Sequence, residues 1–68
     1  MSISENIKTR RIGAGLSQTE LANRVGVNRS MIAQIERGTK GVSLALAAEF
    51  ANIFRCNVDD LVDRGQHK

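Results

Sequence analysis

Arg29, Ser30, Ala33 and Gln34 lie close together in the stretch NRSMIAQIER. A guanidinium is a rigid fork of N–H donors, and a primary amide carries a donor and an acceptor side by side. On one face of a helix, such side chains suit the edges of DNA bases. Arg29 matches guanine O6 and N7, Gln34 matches adenine N6 and N7, and the Ala33 methyl can meet a thymine methyl. Arg29 can equally well meet a phosphate. A solvated charged face is the plainer alternative for the same residue types.

Covalent or metal chemistry finds no comparable support. The chain has one Cys, Cys56, and one His, His67, near its end. These give no nucleophile–base pair, no metal cluster and no phosphate-binding loop. No enzyme, metal or cofactor is therefore expected. Cys56 reads as a small core hydrophobe.

Two short helices joined at Gly26 would position the polar set. In QTELANRV, Leu21, Ala22 and Val25 share one face, and Ile32 and Ile35 share a face of the following helix. Ala22 is small where the helices would cross, and Gly26 accepts positive φ without steric cost. This is a helix-turn-helix layout, whose second helix lies in the major groove of DNA.

Charge favours the same half of the chain. Residues 1–40 carry seven Lys/Arg against three Glu, a net of +4, and residues 41–68 carry three against four, a net of −1. A polyanionic partner suits that imbalance, although charge alone serves solubility equally well. At 68 residues the chain is expected to form a single domain, 1–68, ordered over about 2–63 with a frayed tail at 64–68. No apolar run reaches the roughly 18 residues of a membrane span, and MSISENIK lacks signal-peptide order. A cytoplasmic setting with no membrane partner and no evident small-molecule substrate is expected.

Local signals place five helices and no strand. Ser2 with Glu5, and Ser17 with Glu20, read as capping boxes. Asn28, Ser43 and Asn57 are good N-caps for the third, fourth and fifth helices. The first helix ends at Gly13 and Gly15, and Leu16 would staple against Leu21. Arg11 shares a face with Ile3 and Ile7 and so needs a carboxylate partner. In the fourth helix Leu44, Ala47, Phe50, Ala51 and Phe54 form the stripe expected to face the core. Leu46 and Ile53 lie outside it. Val58 and Leu61, in VDDLV, would close the bottom of the core.

The segments IKTRRIGAGLSQTELA, GVNRSMIAQIERG, SLALAAEFANIF and VDDL together resemble the Cro and lambda-repressor-like helix-turn-helix family, or XRE family. The likeness is closest to DNA-binding domains of lambdoid phage repressors. It covers about Ile3 to Val62 and implies an all-α, compact five-helix bundle. It also implies a DNA-binding transcriptional regulator, a repressor on a palindromic operator, with double-stranded DNA as partner. A protein-interaction module, such as an antitoxin or a polymerase-contacting subunit, is the alternative this fold allows.

Residue roles follow from the resemblance. The counterpart of Gln18 bonds a DNA phosphate, and a helix N-terminus favours anions. Arg11 and Glu36 match positions that pair with each other, which would hold Arg11 near the DNA backbone. Arg10, Arg37, Lys40 and Ser43 are phosphate candidates by position, and Asn28 would combine capping with such a contact. Three departures stand out. KGVS lacks the usual proline, Arg55 replaces a common glycine, and the chain stops where longer repressors continue into a dimerisation domain. A homodimer would then form through the later helices, with Leu46, Ile53, Arg55 and Cys56 at its interface.

Overall fold

A computed structural model describes residues 2–62. The helices are α1 (Ile3–Gly13), α2 (Gln18–Val25), α3 (Arg29–Arg37), α4 (Leu44–Phe54) and α5 (Val58–Leu61). The described residues contain no strand. The frayed tail expected at 64–68, with His67, lies outside them.

Each long helix starts where its cap sits. Ser2 Oγ accepts from Glu5 N, and Ser2 N donates back to the Glu5 carboxylate. Ser17 and Glu20 repeat this at α2. Asn28 Oδ1 accepts from Met31 N at 2.8 Å, and Ser43 Oγ from Leu46 N at 3.1 Å. At α5 the reach is reversed, with Asn57 N donating to Asp60 Oδ2. These bonds satisfy N–H groups that have no partner within their own helix.

One core joins all five helices. Ile7, Leu21, Ala22, Ile32, Ile35, Phe50, Ala51 and Leu61 are buried together. Burying a large aliphatic or aromatic side chain contributes about 1.5–3 kcal/mol. The Phe50 and Phe54 rings stack with centroids 6.3 Å apart. Leu16 packs against this cluster, as do Val25, Val27 and Val58.

Helix α4 differs from its expected face. Leu44 is 76 % exposed, whereas Leu46 and Ile53 are half-buried against the core. The buried arc runs from Ile53 through Phe50 to Ala51. Leu44, the first helical residue, falls at the margin of that arc, where no neighbouring helix covers it. The short α5 also stops before Val62, which is extended and 41 % exposed.

Asn6 closes the bundle. Its Nδ2 donates to the Asp60 and Leu61 carbonyl oxygens at 2.7 and 3.2 Å, while its Oδ1 accepts from Arg10 Nε at 2.8 Å. The end of α5 is thereby tied to α1. No helix among the described residues is long and apolar enough to cross a membrane.

Candidate nucleic-acid interface

Helix α3 divides its faces sharply. Ile32 and Ile35 are fully buried, and Arg29, Ser30 and Arg37 are exposed. Gln34 is half-buried. Gly26, at φ 78° between α2 and α3, supplies the left-handed residue that lets the chain reverse there. Val27 N then donates to Ala22 O at 3.0 Å, which fixes the angle at which α3 leaves.

The sequence-predicted base-contacting residues are not equally placed. Among the described residues, neither the Ser30 hydroxyl nor the Gln34 amide has a hydrogen-bond partner. Both are free to bond elsewhere. Ala33 keeps only 9 % of its surface. Its methyl therefore has little area to offer a thymine. Arg29 is exposed but tethered, its Nη1 donating to Gln18 Oε1 at 3.1 Å.

Arg11 and Glu36 meet beneath this face. Arg11 Nε donates to Glu36 Oε2 at 2.6 Å and Nη2 to Oε1 at 3.1 Å, a bidentate pair. Its Nη1 donates to Leu16 O at 2.8 Å. The two side chains are 12 % and 3 % exposed. Arg11 thus spends all three guanidinium nitrogens inside the protein, and only a narrow edge remains for a phosphate. Gln18 Nε2 adds a third donor to Glu36, at 3.1 Å from Oε1.

The flanking candidates lie on α1, at the two ends of α3 and in the loop that follows it. Arg37 and Lys40 are exposed, as are Asn28 and Ser43, whose side-chain oxygens are already engaged in capping. Arg10 is half-buried, and its Nε is held by Asn6. Two features escaped sequence reasoning. The bond from Asn6 to α5 spans most of the chain and leaves no local signal. The double engagement of Gln18 was hidden because its partners, Arg29 and Glu36, share one face of α3 seven residues apart, and nothing local to Gln18 points to either. A carboxylate under a basic face was the available clue.

A helix-turn-helix family model matches residues 7–61. That span takes in the whole face just described together with the core beneath it. The chain belongs to the helix-turn-helix family of the Cro and lambda-repressor (XRE) type. A relative named as an uncharacterized HTH-type transcriptional regulator of Archaeoglobus fulgidus is 40% identical over 55 residues, 81% of this chain and 78% of that one. SinR, a master regulator for biofilm formation solved in complex with DNA, superposes with a TM-score of 0.83. It is 31% identical, covering 90% of this chain and 98% of that one. The P22 c2 repressor, solved with a synthetic operator, gives 0.86 at 26% identity, covering 97% and 98%. The five-helix expectation is met in full, and the chain is a transcriptional regulator with a DNA-binding fold rather than an enzyme.

Proposed function

We propose that this regulator binds double-stranded DNA sequence-specifically, with α3 in the major groove, and represses transcription from a palindromic operator. One observation carries the reading. The apolar half of α3 is locked in the core, so Arg29, Ser30 and Gln34 stand outward on a rigid support with donors and acceptors to offer. Arg29 and Gln34 are the base readers and Ser30 assists. Ala33 contributes at most a grazing methyl contact.

Affinity comes from the residues around α3. Gln18, with its second Nε2 hydrogen, contacts a phosphate at the start of α2, and Arg37, Lys40, Ser43 and Asn28 follow the backbone beyond. Arg10 offers its Nη groups, and Arg11 its exposed edge. The net charge of +4 over residues 1–40 supports such contacts. SinR and the P22 c2 repressor, each solved with DNA, support the same reading.

The chain acts as one domain and as a two-fold dimer, which sets two α3 helices about 34 Å apart, one turn of DNA. The remaining exposed parts of Leu46 and Ile53, with Arg55 and Cys56 at the α4–α5 turn, form the dimer face. The reading calls on no cofactor and places the protein in the cytoplasm.

Selection of duplexes from a random pool, followed by gel-shift titration at rising salt, tests this. A recurring sequence with two-fold related half-sites is expected, bound more tightly than scrambled DNA, with affinity falling steeply as salt rises. Equal affinity for selected and scrambled duplexes at every salt concentration would refute sequence-specific binding.

A further inference from the structure

Glu36 cannot itself touch a duplex, because its side chain is 3 % exposed. It is nevertheless only one residue removed from the exposed Arg29 guanidinium. Glu36 Oε1 accepts from Gln18 Nε2, and Gln18 Oε1 accepts from Arg29 Nη1, both at 3.1 Å. A carboxylate only accepts hydrogen bonds, and a guanidinium only donates them. The amide between them therefore has one workable orientation, nitrogen inward and oxygen outward. Arg11 clamps the far side of Glu36 through Nε and Nη2, and is itself anchored on Leu16 O. Donors point the same way along the chain from Arg29 to Glu36, so each bond polarises the next.

We propose that Glu36 is a remote determinant of base choice: it orients the Gln18 amide, which fixes the Arg29 guanidinium before DNA arrives. The inference rests on the reading of Arg29 as a base-contacting residue. If the inward carboxylate is replaced by a group that also donates, the amide can turn over. Its NH2 then faces Arg29, donor against donor, and the guanidinium loses its tether. A preorganised fork discriminates between bases because little ordering remains to be done on binding. A released one finds phosphates, which carry no sequence information. Glu36 is thus a positioning residue, acting on the DNA only through Gln18 and Arg29.

The test uses the full chain and a selected duplex, together with duplexes substituted at each base pair in turn. Arg29→Ala first identifies the base pair at which discrimination depends on Arg29. Glu36→Gln is then measured beside Arg11→Met/Glu36→Gln, which leaves no uncompensated charge should the single variant fail to fold. Discrimination at the Arg29 base pair is expected to fall about tenfold. Discrimination at the other base pairs should stay as in the wild type, and Glu36→Gln should change nothing further in an Arg29→Ala background. Loss of phosphate contact lowers affinity for every duplex equally and cancels in these ratios. Unchanged discrimination at the Arg29 base pair, or an equal fall at all base pairs, overturns the proposal. If Arg29→Ala alters discrimination nowhere, the base-reading role of Arg29 fails and the proposal falls with it. That failure is distinguishable, because it shows before Glu36 is touched.

Discussion

Removal of Arg11 should expose how much the fold depends on a pair of charges. In Arg11→Met the Glu36 carboxylate, 3 % exposed in the wild type, is left with one donor, Gln18 Nε2. Breaking a buried pair from one side costs about 3–5 kcal/mol. A chain of 68 residues has about 3–10 kcal/mol in total, at 0.05–0.15 per residue. Arg11→Met should therefore lose much of its stability. Glu36→Leu should cost less, about 2–3 kcal/mol, because Arg11 is already 12 % exposed and its long stem can carry the charge to water. The double variant Arg11→Met/Glu36→Leu should return to within about 1 kcal/mol of wild type, since no charge is left unpaired. Urea titrations begun in a stabilising osmolyte would capture the folded baseline of the weakest variant. Single variants that each lose under about 0.5 kcal/mol, or a double variant losing the sum of the two, would refute this account of the pair.

Other outcomes follow from single positions. Arg55 ends α4 at φ 56°, the one non-glycine in the left-handed region among the described residues, so Arg55→Gly should raise stability by up to about 1 kcal/mol in a urea titration. The Glu20 carboxyl is held below the ordinary carboxylate range by hydrogen bonds from the Ser17 backbone and side chain, with help from Arg24. Its ionised form thus favours folding. Melting curves should show the wild type more stable than Glu20→Gln at neutral pH, with the gap closing as pH falls through that lowered pKa. Gln34→Ala should weaken selected DNA by about 1–3 kcal/mol and relax choice at one base pair, whereas Lys40→Ala should weaken every sequence alike and flatten the salt dependence. Light scattering at high concentration should find a wild-type dimer and an Ile53→Glu monomer.

The starts of the helices were legible because capping is local. Ser2 with Glu5, Ser17 with Glu20, and Asn28 each act within one turn of their own position. The Arg11–Glu36 pair was legible for a different reason: a charge on the Ile3–Ile7 face has to be answered by some carboxylate, and family likeness named which. Leu44 shows where such reasoning stops. Its spacing from Ala47 and Ala51 suits a core face, but periodicity does not say where along a helix the cover ends, and Leu44 at the start of α4 is left 76 % exposed. Leu46 and Ile53 show the converse, half-buried against the core because the covered arc of α4 is wider than a single stripe. The near-complete covering of Ala33 was not legible either, since a small residue at the border of a helix face fits either side. The bond from Asn6 to the Asp60 and Leu61 carbonyls depends on the finished bundle, and no short-range pattern announces it.

Mapping the surface of the chain that meets a selected duplex tests the central claim most directly. Backbone amide signals followed during titration should move most at the start of α2, over Asn28 to Gln34, and across residues 38–43, with the exposed side of α4 little affected. Shifts centred on the exposed side of α4, with Arg29, Ser30 and Gln34 unmoved, would contradict the assignment of α3 as the reading helix.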